Sequence, residues 1–204
     1  MKPGAIAFTL LSLVGSLCTL RVQAQEPSAA AVFDPAKTSI AVLFAPNFSD
    51  DKWVEQKGKE SIVARKSVYT LFEKRGFAQV TEEAVDVATK ANTIDLNKEE
   101  SWTKANFARV GKQAGANLAA FVLIKQTRQK VVSNPLASQY VGEAEIEVWL
   151  VDTATGKALI GDLAARGRAT GGVRSAGSRR NSAVEDAVKR AFSAFLKPYP
   201  ETKK

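Results

Sequence analysis

The sequence predicts an α/β fold: a single layered domain with a mixed sheet, an antiparallel C-terminal strand meander and a closing amphipathic helix. Three observations carry this prediction. Two continuous apolar runs, Ser39 to Ala45 and Leu118 to Ile124, have helical segments between them and suit strands buried on both faces. From Glu143 to Leu150, Glu143, Glu145, Glu147 and Trp149 alternate with Ala144, Ile146, Val148 and Leu150, the period of a strand with one apolar face. Last, Ala183, Val184, Ala187, Val188, Ala191, Phe192, Phe195 and Leu196 recur at helical spacing until Pro198 stops them.

The first 24 residues read as a leader. Lys2 supplies the positive start, Ala5 to Leu20 the apolar run, and Val22 and Ala24 the small residues a signal peptidase reads, so cleavage is expected between Ala24 and Gln25. A spanning anchor needs about 20 apolar residues, and Gly15 and Ser16 interrupt a run shorter than that. Lipidation at Cys18 is disfavoured because Leu17, not a small residue, precedes it. The expected protein is therefore periplasmic or secreted, with no stable membrane anchor after cleavage.

Gln25 to Thr38 holds two prolines without periodicity and is expected to be a flexible lead to a single domain at 39–197, with 198–204 a disordered tail. After the first strand, Asn47 to Gly58 is polar. Next comes a helix with Ala64, Val68, Leu71 and Phe72 on one stripe, which Gly76 ends. Phe77 to Val80 can form a short strand. Thr81 caps a helix with Glu82 and Glu83 in its first turn, and Ser101 is the expected cap of another, which carries Phe107, Val110 and Ala114. Lys125 to Lys130 leads out of the core, and Val131 to Val141, with Asn134-Pro135, is expected to be a turn. Asp152 to Lys157 closes a hairpin on Gly156. The next strand places Leu159, Leu163 and Ala165 on one face and Asp162, Arg166 and Arg168 on the other. Gly171 to Arg180 reads as a loop.

Several of these segments together resemble a known domain. The Pro-Asn-Phe-Ser-Asp turn at 46–50, LFEKRGFAQV at 71–80, VGKQAGANLAAFVLI at 110–124 and EVWLVDTATGKAL at 147–159 are similar to the domain shared by three bacterial envelope groups. These are the curli-secretion lipoproteins, the amino-terminal domain of the Tol-Pal system's periplasmic propeller protein, and the lipoprotein activators of penicillin-binding proteins. The resemblance covers about Ser39 to Leu196. It implies an envelope location and this α/β fold. Its most specific pieces are turns and strand entries: Lys74 to Phe77, Gly115 to Asn117, Val151 to Thr153 and Gly156-Lys157. The lipid-bearing Cys of many members has no counterpart here, and no propeller follows the domain.

Composition narrows the chemistry. The 204 residues contain no His, one Cys and one Met, so no His-based triad, dyad or zinc site can form. With no GxxxxGK[ST] or GxGxxG, a nucleotide cofactor is not expected, and no other cofactor or metal is. The row Glu143, Glu145, Glu147 could suggest a carboxylate site, but a hairpin with Asp152 opposite Lys157 sets Glu143 opposite Arg166, with Arg168 a diagonal step away. Lys125, Arg128 and Lys130 come along the other flank. The expected product is a cross-strand charge ladder.

Lys+Arg total 29 against 21 Asp+Glu, a net charge of +8. Arg166, Arg168, Arg174, Arg179 and Arg180 fall in a glycine-rich stretch with hardly an acid between Asp162 and Glu185. Arg168, Arg174, Arg179 and Arg180, with Trp53 beside Asp50 and Asp51, are the candidate partner-binding residues. A leader makes nucleic acid a poor match, so the expected partner is an envelope protein or an anionic envelope component. Changing Arg174, Arg179 and Arg180 together to Ser is expected to spare the fold. The leading function is a non-catalytic binding or adaptor protein. Its alternative is a carboxylate-dependent enzyme acting on cell wall or glycan. A curli-like pore subunit is disfavoured, because Asn47 to Gly58 and Val131 to Val141 are too short and polar for a membrane hairpin.

Overall fold

The computed structural model describes residues 33–45, 59–134, 137–171 and 176–202. In chain order the elements are β1 (Ser39–Phe44), α1 (Lys59–Glu73), β2 (Ala78–Gln79), α2 (Glu82–Ala91), α3 (Lys104–Gln113), β3 (Leu118–Asn134), β4 (Ala137–Asp152), β5 (Ala158–Gly171) and α4 (Ala176–Leu196). The five strands form one mixed sheet in the order β2-β1-β3-β4-β5. β1 runs parallel to β2 and β3, and β3, β4 and β5 form the antiparallel meander.

The continuous apolar runs are β1 and the first half of β3. Their residues alternate between two cores, which is why neither strand shows a polar face. On one side Ile40, Val42, Leu118, Ala120, Ile146 and Val148 meet α1 and α4. There Phe72 of α1 lies 5.5 Å from Phe192 and 5.9 Å from Phe195, both of α4. On the other side Leu43, Phe121, Leu123 and Val151 meet α2 and α3. Phe107 of α3 stacks on Phe121 at 4.5 Å, and Trp149 is buried 5.9 Å from Phe107, the core place its position near the hairpin end predicts.

Local signals set most element ends. Thr81 Oγ1 accepts from Ala84 N at the start of α2, while Gly76 and Gly115 take the positive φ that ends α1 and α3. The cap of α3 is Thr103, not Ser101, which lies in a 3-10 turn at Glu99–Ser101.

Other expectations are corrected. In the described part of the lead, Pro35–Lys37 form a 3-10 turn, and Phe33 N donates to Tyr199 Oη. The tail is placed through Thr202, because Tyr199 is buried against Phe77 and Thr202 N donates to Lys74 O at 2.8 Å. The turn expected over Val131 to Val141 is instead the far end of a hairpin paired down to Asn134↔Ala137. The arginine loop is shorter than expected, since α4 begins at Ala176.

The register between β4 and β5 also differs. Two irregularities, at Val148/Leu150 and Leu150/Val151, set Glu145 opposite Arg166 and Glu143 opposite Arg168. Each shifts the pairing by one residue. A shift of two restores the side-chain period, so the arginines stay on the glutamate face. Asp162 adopts φ 49° within the bulged stretch, and Leu163 is left 41% exposed.

Candidate docking surface

Among the described residues β1 pairs with β3 only as far as Val122 while β3 continues to Asn134, and this further part of the meander is an arm. α4 backs one face of that arm. Glycine makes the approach possible: a Cβ at Gly167 would collide with the Ala183 carbonyl oxygen, and one at Gly142 with that of Arg179.

The arm's other face carries the charge ladder. Lys125 Nζ lies 3.0 Å from Glu147, Lys130 Nζ 2.7 Å from Glu143 and Arg166 Nε 3.1 Å from Glu145. The hydrogen bond from Lys130 holds the Glu143 carboxyl below its ordinary value. Burial, together with a hydrogen bond to Asp162, pushes Glu147 up against the pull of Lys125. Each glutamate of the row is thus taken up within the sheet. Among the described residues, no group of three or more His, Cys, Asp or Glu side chains is placed to hold a metal ion.

The sheet divides the arginines that lie close together in sequence. Arg168 is exposed on the ladder face, with Glu143 between it and Arg128, and its backbone N–H donates to Asp186 Oδ2 at 3.1 Å. Arg179 and Arg180 lie in the first turns of α4, on the opposite face, and both are half-buried. The Arg179 guanidinium covers Gly171. Arg180 Nε stands 3.8 Å from Glu60 of α1, whose side chain is 5% exposed. Arg180 therefore has an acid to answer it, and it comes from a distant part of the chain. Arg174 and Trp53 lie outside the described residues.

Sequence reasoning missed Glu60, although its signal was present. It stands four residues before Ala64 on the stripe Ala64, Val68 and Phe72, so its burial follows from helical periodicity. Nearby on β3, Thr127 Oγ1 and Gln129 Oε1 are buried, as is Glu60 Oε2, and none has a hydrogen-bond partner among the described residues.

No family model and no curated protein matches the chain. Several solved structures are similar to it. Lipoprotein GNA1162 from Neisseria meningitidis matches at 16% identity and TM-score 0.39, over 79% of this chain and 96% of that one. The LpoB C-terminal domain from Salmonella enterica matches at 12% and 0.42, over 67% and 84%. The hypothetical protein CT253 from Chlamydia trachomatis matches at 13% and 0.44, over 80% and 98%. At such identities each chain's activity is its own.

A concavity lies at the carboxyl end of β1, where open α/β sheets commonly bind ligands. This cleft of about 210 Å³ is floored by Val42, Phe44 and Val85 and rimmed by Arg65, Glu82 and Asp86. Arg65 pairs with Glu82 and sits 5.4 Å from the Phe44 ring centroid. Glu82 and Asp86 are one turn apart on the same helix, so they do not flank a bound sugar from opposite sides as glycoside hydrolysis needs. Among the described residues no helix is long and apolar enough to cross a membrane.

Proposed function

We propose that this chain is a periplasmic or secreted, non-catalytic binding protein of the cell envelope, which docks an anionic protein surface on the ladder face of its arm. One observation carries the reading. Around Glu143 stand three cations, Arg128, Lys130 and Arg168, all exposed on one face, and Glu143 is already bonded to Lys130. That cationic excess is held on paired strands. An anionic partner relieves the repulsion and is steered to the site by the field.

The leader expected at 1–24 supports the location, and the lack of His supports the non-catalytic role. The ladder supports that role too, since the Glu143, Glu145 and Glu147 carboxylates that an enzyme could use are engaged by neighbouring strands. Arg168 and Arg174 are retained as partner-binding residues, and Trp53 as a contact residue.

The test is capture from envelope extract at low salt by residues 25–204, beside an R168S/R174S variant of equal thermal stability. The parent is expected to retain an acidic protein that the variant loses. Equal capture by both overturns the assignment.

A further inference from the structure

Among the described residues, no strand pairs with the edge of β3 along the arm. Among the described residues β1 pairs with β3 only from Ile40↔Leu118 to Phe44↔Val122, while β4 pairs with β3's other side to Asn134. From Gln126 to Val132, about 23 Å of strand at about 3.3 Å per residue, β3 has a strand partner among the described residues on one side alone. Its pairing with β4 is regular there, the bulge lying at Ile124/Gln126. A regular edge presents alternating N–H and C=O groups in register for an added strand. Val131 and Val132 are 54% and 45% exposed, two of the five exposed large apolar side chains among the described residues, and they are adjacent.

The occupant follows from charge. β3 carries Lys125, Arg128 and Lys130 and no acid. Lys125 and Lys130 have Glu147 and Glu143, but Arg128 makes no ion pair among the described residues. A second copy's β3 edge would bring the same three cations against these, and like charges across strands are destabilising. Side chains alternate along the strand, so an incoming strand that sets acidic side chains beside Arg128 and Lys130 on one face sets its apolar positions beside Val131 on the other.

We propose that the β3 edge from Gln126 to Val132 takes up an acidic, extended segment of a partner protein by strand addition. Main-chain hydrogen bonds supply the affinity, and Arg128 and Lys130 the choice of partner. The proposal rests on reading the chain as a protein-binding module and names how the partner is held.

The probes are three synthetic peptides: one alternating valine with glutamate, one with lysine in place of glutamate, and the glutamate peptide N-methylated at alternate amides. The readouts are the dissociation constant and hydrogen-exchange protection of β3 amides in residues 25–204. The glutamate peptide is expected to bind at least about tenfold tighter than the lysine peptide, equivalent to about 1.4 kcal/mol, and to protect alternate amides between Gln126 and Val132. N-methylation is expected to abolish both effects, and R128E/K130E to reverse the preference between the charged peptides.

Equal affinities for the two charged peptides overturn the proposal, as does binding by the N-methylated one. So do edge amides already protected in the free protein, the sign that the chain's own residues 46–58 occupy the edge. Protection that rises with protein concentration alone, the sign of a second copy, overturns it as well. None of these readings involves Arg168 or Arg174, so failure here leaves the ladder-face reading to its own test.

Discussion

Glu143 and Glu147 stand on one face of one strand, yet their environments act on them in opposite directions. Lys130 depresses Glu143, so its stabilising contribution is present above the unfolded-state pKa and is lost as pH falls through the lower folded value. Glu147 is raised, so the folded state takes up its proton first and stability is gained as pH falls toward the unfolded-state value. At pH 7, E143Q is expected to lower stability by about 0.5 kcal/mol, screened because the pair is partly exposed. E147Q is expected to be no less stable than the parent, its difference from the parent shifting as the parent takes up its proton at lower pH. Denaturant titration of both variants at pH 7 and pH 4 checks the signs. Arg180 gives a sharper residue-scale case. Its removal strands Glu60 in a buried seam, so R180S is expected to cost about 3 kcal/mol while R168S, at an exposed strand position, stays within about 0.5 kcal/mol. Sparing the fold by changing Arg174, Arg179 and Arg180 together is therefore no longer expected.

At the scale of elements, the seat of α4 on the meander decides the shape of the arm. G167A is expected to lower stability by about 3 kcal/mol because the new Cβ meets backbone, which cannot rotate away. G161A is its control: the added carbon would make only a 3.6 Å contact with Ala158. F192A is expected to cost about 3 to 5 kcal/mol, since Phe192 is fully buried between α1 and the sheet. Denaturation midpoints of the three separate a seated helix from a peripheral one. The helix itself was legible in the sequence because its apolar positions repeat, and so were β1, the start of β3 and both faces of β4. The ends of the arm were not. Lys125 to Lys130 is polar for strand residues because it lies past the core that α2 and α3 cover, so hydrophobic periodicity fades along it although its pairing with β4 continues. The β5 bulges escaped for a different reason, since an insertion of two residues leaves the alternation of faces intact.

For the whole molecule, the same separation governs what could be read of the site. The sequence places Arg168, Arg174, Arg179 and Arg180 in one stretch, but the sheet passes between Arg168 and the two α4 arginines, and long-range packing brings Glu60 to Arg180. Conversely, Arg128 and Arg168 are far apart in the chain and become neighbours across Glu143. Pairing of this kind is a property of register, which depends on bulges that leave no signature in composition. The molecule is thus a packed three-layer body that carries a cation-rich arm, the proposed seat of recognition. The most direct measurement is the affinity of residues 25–204 for the partner recovered from envelope extract, taken at a series of salt concentrations for the parent and for R168S/R174S. The parent affinity is expected to fall several-fold from low to physiological ionic strength, with a weaker, flatter dependence in the variant. An affinity that ignores salt and is the same in both proteins would contradict it.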